Sequence, residues 1–92
     1  MDPSSGQLIG TDIESQTKQT LTNIRNIVEA AGLSLRDVVR ASIYLKNMKD
    51  FKQMNEVYKS FFTEAPPART TVQVELPLPG MLIEVDVIAH RG

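Results

Sequence analysis

The chain has 92 residues, of which 41% are hydrophobic and 23% charged, and ten Lys and Arg against eleven Asp and Glu give a net charge of −1. A single domain of this length buries only somewhat more than about 60% of the surface that its unfolded chain exposes, so a small core is expected. The near-neutral charge excludes the basic surface of a general nucleic-acid binder. The absence of cysteine excludes disulfides, thiol catalysis and thiolate metal sites.

Histidine metal clusters and membrane spans are also not expected. His90 is the single histidine and lies two residues from the C-terminal end, so we interpret it as a solvated residue without the partners of a metal site or a Ser-His-Asp triad. No apolar run approaches the roughly 18 residues of a membrane helix, and no basic segment followed by an apolar block begins the chain. The sequence therefore predicts a cytoplasmic protein of one domain, residues 1–92.

The first predicted elements are a turn and a helix. MDPSSGQLIG predicts a turn followed by a short extended piece at Leu8 and Ile9. A helix follows at about 12–31, with Asp12 as the N-cap, Gly32 just after the last turn and Leu33 folding back onto it. The apolar residues at helical spacing are Leu21, Ile24, Ile27, Val28 and Ala31.

A strand and a second helix come next. DVVRASIYLKN alternates, which predicts a half-buried strand with Val39, Ala41, Ile43 and Leu45 on one face and Val38, Arg40, Ser42, Tyr44 and Lys46 on the other. Asp50 and Gln53 form a capping-box pattern that predicts a helix at about 50–63, ending before two prolines. The apolar stripe of this helix consists of Phe51, Met54, Tyr58, Phe61 and Phe62.

Two strands, at about 69–76 and 81–90, are predicted to form one antiparallel hairpin around the segment PLPG. Alternation in the last strand places Ile83, Val85, Val87 and Ala89 on one face and Leu82, Glu84, Asp86 and Ile88 on the other. The element order predicts an α+β fold with both helices on one side of a sheet. The opposite face is predicted to mix Tyr44, Leu82, Ile88 and Val38 with Glu84 and Asp86. A small protein would cover such a face by forming an oligomer.

Three polar residues are candidates for chemistry. Arg69 follows Pro67 at the start of a strand, where its planar guanidinium suits a carboxylate, but from the composition alone a solvated strand-end arginine is the favoured interpretation. Glu84 either faces water or lines a pocket in which a partly desolvated carboxyl holds or deprotonates a water. Asn55 lies on the apolar stripe of the second helix, so its amide either fixes a loop or shapes a site.

The C-terminal third of the chain carries family motifs. PPARTTVQVELPLPGMLIEVDVIAHR resembles the signature region of the Rid/YjgF family of reactive-intermediate deaminases, with a Pro-Ala-Arg-[ST]-x-Val strand and an Ile-Glu-[IV]-[ED]-x-[IV]-Ala strand. The upstream stretch QTLTNIRNIVEAAGLSLRDVVRASIYLKNMKDFKQMNEVYKSFF is similar to the same family along its length. The resemblance covers residues 2–91.

This resemblance implies a chorismate-mutase-like α+β fold and a trimer with sites in the clefts between subunits. It implies hydrolysis of small enamines and imines, such as 2-aminoacrylate and 2-iminobutanoate, to a 2-keto acid and ammonia, without metal or organic cofactor. Carried over by position, Arg69 would clamp the substrate carboxylate and Glu84 would position the attacking water. Asn55 and Tyr58 would build the wall of the site.

The chain departs from the family pattern in two places. Thr71 stands where many members have cysteine, which the hydrolysis does not require. Full-length members begin with two further strands that contribute to the site, whereas DPSSGQL matches the hairpin that follows the second of them. We therefore interpret the chain as an N-terminally shortened member.

Two alternative functions remain open at this point. One is a trimer that binds small carboxylates or 2-keto acids at Arg69 as a sensor, without turnover. The other is the ribonuclease or translation-inhibitor activity that has been ascribed to family members. The near-neutral charge and five aromatic residues offer neither a basic groove nor a stacking platform for nucleic acid.

Overall fold

The computed structural model describes residues 12–63 and 66–90. In chain order they form α1 (Ile13–Ala30), β1 (Val38–Leu45), α2 (Phe51–Phe61), β2 (Ala68–Gln73) and β3 (Ile83–Ala89). The two helices pack on one three-strand mixed sheet, so the predicted α+β fold is confirmed. The predicted turn and extended piece in residues 1–10 lie outside the described residues. Neither helix in the described ranges is long and apolar enough to cross a membrane.

The ends of α1 follow the predicted capping. The Ser15 backbone N–H donates to Asp12 Oδ1 at 2.7 Å, and hydrogen bonds from Ser15 lower the pKa of the Asp12 carboxyl. Gly32 has a φ of 83°, and the Leu33 N–H donates to the Val28 carbonyl at 3.0 Å, as in a Schellman motif. Ile27 was predicted to join the core but is 69% exposed, because no described element covers that side of the helix.

The sheet order is β2-β1-β3, with β1 parallel to β2 and antiparallel to β3. The prediction of a hairpin between the last two strands is therefore wrong. The segment 74–82 carries two prolines, which cannot donate to a strand ladder, and it crosses from one edge of β1 to the other. Hydrogen bonds from Val74 N to the Leu45 carbonyl and from Lys46 N to the Leu82 carbonyl hold its two ends.

The sheet face toward the helices carries Ala41, Ile43 and Leu45 of β1, which are 0–1% exposed. The beginning of β1 differs from the prediction, since Val38 is 2% exposed and Val39 is 49% exposed. A register irregularity between Val38 and Arg40 explains the difference, because one extra residue in a strand reverses the faces before it.

The start of α2 also differs from the prediction. Asp50 makes no side-chain cap. A single 3-10 turn (Met48–Asp50) runs directly into the helix, and Asn47 caps that turn by accepting from the Lys49 N–H at 3.1 Å. The predicted apolar stripe is confirmed, since Met54, Tyr58 and Phe62 are buried and Phe51 and Phe61 pack against them.

Gln16 of α1 holds the segment that leads into β3. Its side chain is 4% exposed, donates to the Gly80 carbonyl at 2.9 Å and accepts from the Leu82 N–H at 2.8 Å. Leu82 was predicted on the sheet face away from the helices. It instead packs against the core, because it precedes β3 and is held to α1.

Candidate functional site

Arg69 is the second residue of β2 and extends its side chain over α2. It pairs in register with buried Ala41, so it lies on the helix side of the sheet. Its Nη1 donates to Asn55 Oδ1 at 2.5 Å. Its Cζ lies 4.7 Å from the centre of the Tyr58 ring and 5.4 Å from that of Phe51. The structure thus brings together Arg69, Asn55 and Tyr58, three of the four residues predicted for the site.

Phe51 belongs to this cluster and was predicted only as a core residue. It precedes Asn55 by four residues and Tyr58 by seven, so all three project from one face of α2. That spacing was visible in the sequence, but only the packing of β2 beside this face shows that an arginine lies over the ring. The two aromatic rings and the amide restrict the guanidinium to one orientation.

An open cleft of about 710 Å³ lies between α2 and the chain that enters β2. Its lining residues are Asn55, Tyr58, Lys59, Phe62, Thr63, Pro66, Pro67 and Arg69. No acidic side chain of the described residues is among them. Since the described partner of Arg69 is a neutral amide oxygen, its positive charge and its remaining donors are available to an anion in the cleft.

Tyr58 contributes its ring and not its hydroxyl. The side chain is 4% exposed, and the hydroxyl oxygen has no hydrogen-bond partner in the described ranges 12–63 and 66–90. Burial raises the pKa of the Tyr58 hydroxyl above its ordinary value, while the Arg69 guanidinium opposes the shift. Tyr58 is therefore protonated at neutral pH and leaves the charge of Arg69 uncompensated.

Tyr58→Phe should raise the free energy of unfolding by about 1 kcal/mol, because it removes a buried hydroxyl without a partner and keeps the ring under Arg69. The gain is measurable as a shift of the midpoint in urea. Tyr58→Leu, which removes the ring as well, should lower the free energy of unfolding by about 1–3 kcal/mol. A loss of stability in the phenylalanine variant would show that the hydroxyl has a partner.

Glu84 lies on the opposite face of the sheet from Arg69. It pairs in register with Tyr44, which alternates with buried Ile43 and Leu45 and so faces away from the helices. Glu84 is half-buried, and Asp86 beside it on the same face is exposed. Within one chain the predicted water-positioning carboxylate is therefore not in the cleft of Arg69.

No described element covers the sheet face that carries Glu84. Ile88 is 58% exposed and Val72 is 38% exposed on it, beside half-buried Tyr44. Over the described part of the chain, no group of three or more acidic or histidine side chains is arranged to hold a metal ion. One side of the sheet therefore has a cleft lined by the Arg69 guanidinium, and the other side has a partly apolar surface that carries carboxylates.

Comparison with known proteins agrees with this architecture. The profile of the family described as endoribonuclease L-PSP matches residues 1–91. A RutC family protein of Pyrococcus horikoshii is 47% identical over 91 residues, which are 99% of this chain and 72% of that protein. The 2-iminobutanoate/2-iminopropanoate deaminase of Bos taurus is 41% identical over 92 residues, which are all of this chain and 67% of that protein.

A solved structure gives the same result for the fold. The crystal structure of TdcF of E. coli with bound serine superposes with a TM-score of 0.87 at 35% identity, over 98% of this chain and 72% of that one. The predicted YjgF-like arrangement of two helices on the sheet is thus confirmed. The chain belongs to the endoribonuclease L-PSP family, also called the YjgF/Rid family.

Proposed function

We propose that the chain is an enamine/imine deaminase that converts 2-iminobutanoate and 2-iminopropanoate to 2-keto acids and ammonia. The observation that carries the proposal is the guanidinium of Arg69, oriented by Asn55 and two aromatic rings in an open cleft that no acidic side chain of residues 12–63 and 66–90 lines. The name of the bovine relative and the serine bound to TdcF, itself a small carboxylate, support a small 2-imino acid as substrate.

In this proposal Arg69 binds the substrate carboxylate through two parallel hydrogen bonds. Asn55 accepts a hydrogen bond from one guanidinium nitrogen, and the guanidinium group lies over the rings of Tyr58 and Phe51. A fixed fork orients the neighbouring imine carbon before reaction, and such positioning lowers the barrier without any covalent step. Asn55 and Tyr58 thus act as positioning residues for the clamp.

The hydrolysis itself needs only water and proton transfers. The water oxygen bonds to the electrophilic imine carbon while a carboxylate takes one water proton, and protonation of the nitrogen gives a carbinolamine with a hydroxyl and an amino group on one carbon. The hydroxyl then loses its proton as the carbon–oxygen double bond forms, and the remaining carbon–nitrogen bond breaks as the nitrogen, protonated once more, leaves as ammonia. The products are a 2-keto acid and ammonia, with no electron transferred. Glu84 is proposed as the carboxylate, and neither metal nor organic cofactor is invoked.

The proposal includes a cytoplasmic location, where such imines would arise as by-products of pyridoxal-phosphate enzymes.

A site that contains both residues needs two copies of the chain, because Arg69 and Glu84 occupy opposite faces of the sheet. We propose a homotrimer, or another closed homo-oligomer, in which the uncovered face of one copy brings its Glu84 to the Arg69 cleft of the next. A ring of such heterologous contacts repeats the same site at every interface. Burial of Ile88 and Val72 would contribute hydrophobic stabilisation to the assembly.

The chain should therefore sediment as an oligomer at micromolar concentration, and its melting temperature should rise with protein concentration because association stabilises the folded form. Ile88→Asp introduces a charge on the uncovered face and should shift the distribution toward smaller species. Ile27→Asp, the same change at a residue that is 69% exposed on α1 and so on the other side of the sheet, is the control. A monodisperse monomer with a concentration-independent melt would contradict the proposed assembly.

The competing function is binding of small carboxylates or 2-keto acids without turnover. It is favoured by the position of Glu84 on the opposite sheet face, so that among the described residues of a single chain no carboxylate lines the Arg69 cleft. An endoribonuclease or translation inhibitor is less well supported, because the net charge of −1 and five aromatic residues provide no basic groove or stacking surface. Nucleic acid is accordingly not proposed as a partner.

Ammonia release from enzymatically generated 2-iminobutanoate distinguishes catalysis from binding. A deaminase accelerates release above the spontaneous hydrolysis measured in buffer. A binding module retains affinity for 2-oxobutanoate in calorimetry but leaves the rate of release at the spontaneous value, and that outcome would overturn the proposed catalysis.

A further inference from the structure

The cleft extends well beyond Arg69, along the C-terminal half of α2. Its helical lining residues Asn55, Tyr58, Lys59 and Phe62 follow the i, i+3, i+4, i+7 spacing of one helix face. Seven residues of helix correspond to about 10 Å of length. A four-carbon substrate bound by its carboxylate at Arg69 fills one end of this cleft and leaves the other end open.

Lys59 lies one helical turn beyond Asn55, the residue that binds the Arg69 guanidinium. Asn55 and Lys59 are four residues apart, which places their backbones about 6 Å from each other on the same face. The Lys59 side chain lines the cleft, and its Nζ lies 3.5 Å from Glu56 Oε2, with both side chains 65% exposed. Such an exposed pair is weak, and an ammonium has three donors, so Lys59 retains the capacity to bind a second carboxylate.

We propose that the cleft selects 2-imino and 2-keto dicarboxylates of five carbons, with the carboxylate beside the reacting carbon on Arg69 and the distal carboxylate on Lys59. This inference rests on the proposed role of Arg69. The two carboxyl carbons of an extended five-carbon chain are about 5 Å apart, a length comparable to the roughly 6 Å between the backbones of Lys59 and of Asn55, which holds Arg69.

The cleft also offers apolar walls for the methylene groups of this ligand. Phe62 and Pro67 line the same cleft as Arg69 and Lys59, so the methylene groups can contact apolar atoms while the two carboxylates bind the cationic side chains. Glu56, which competes for Lys59, does not line the cleft. A ligand with a second carboxylate therefore adds an attraction that 2-iminobutanoate lacks.

Calorimetry on the 92-residue chain with two stable keto acids tests the inference. The unaltered chain should bind 2-oxoglutarate about 2–5-fold more tightly than 2-oxobutanoate, the range expected of one exposed ion pair. Lys59→Met should remove that preference by weakening the binding of 2-oxoglutarate more than that of 2-oxobutanoate. Lys18→Met, which makes the same change of charge on the exposed side of α1, should preserve the preference.

Four outcomes would overturn the inference, and they separate it from the proposed function. Equal affinity for both keto acids in the unaltered chain, or equal weakening of both by Lys59→Met, removes Lys59 from ligand recognition but leaves the Arg69 clamp standing. Tighter binding of phenylpyruvate than of 2-oxoglutarate assigns the far end of the cleft to an apolar side chain. Absence of binding by every keto acid overturns both the inference and the clamp.

Discussion

Glu84→Gln is expected to abolish imine hydrolysis while the oligomer and the affinity for 2-oxobutanoate remain unchanged. Glutamine has nearly the same shape as glutamate but cannot accept the proton of an attacking water at neutral pH. Loss of a general base lowers the rate by about 10²–10⁴-fold, which would bring ammonia release close to the spontaneous value. Ammonia release measures the rate, and sedimentation together with calorimetry checks the other two properties.

Asp86 provides the matched control. It lies two residues from Glu84 on the same strand and the same sheet face, and it is exposed. Asp86→Asn should therefore change the rate little, although it alters the charge of the surface by the same amount. Equal loss of activity in the two variants would attribute the effect to the surface as a whole and not to a water held by Glu84.

Arg69→Lys should weaken binding of 2-oxobutanoate by about 1.5–3 kcal/mol, the range for hydrogen bonds to charged groups. Lysine keeps the positive charge but lacks the planar fork, so it cannot be held by Asn55 and at the same time bind a carboxylate in two parallel hydrogen bonds. The loss corresponds to a roughly 10- to 150-fold higher Kd in calorimetry.

Arg25 offers a control with a similar environment. Its Cζ lies 5.4 Å from the centre of the Phe61 ring, the same distance that separates Arg69 from Phe51, but neither Arg25 nor Phe61 lines the Arg69 cleft. Arg25→Lys should therefore leave the affinity for 2-oxobutanoate unaltered. An unchanged Kd in Arg69→Lys would remove Arg69 from the site.

The helices could be predicted well because their signals are local. Apolar spacing and capping residues act within a few positions, and Asp12 and Gly32 end α1 as predicted, although Asp50 makes no side-chain cap on α2. The strand pairing was missed because alternation assigns the two faces of a strand and not its neighbours in the sheet. The reversed faces of Val38 and Val39 have the same origin, since a register irregularity has no signature in a single strand.

The site shows the same division between local and long-range information. Asn55 and Tyr58 lie on one helix face by spacing alone, and the motif around Arg69 indicated that this arginine belongs beside them. The relation of Arg69 to Glu84 depends on the register of β2 and β3 against β1, which places Arg69 opposite Ala41 and Glu84 opposite Tyr44. Only the structure therefore shows that Arg69 and Glu84 lie on opposite faces of the sheet.

The central claim, a deaminase site built from two copies, is tested most directly by mixing the two impaired variants. Arg69→Lys and Glu84→Gln chains are unfolded together, refolded as mixed oligomers, separated from the homo-oligomers by distinct tags and assayed for ammonia release. If Arg69 of one copy works with Glu84 of the next, every mixed trimer regains both groups at one of its three interfaces, and activity returns to that extent. Mixed oligomers that remain as inactive as either parent would contradict a site shared between copies.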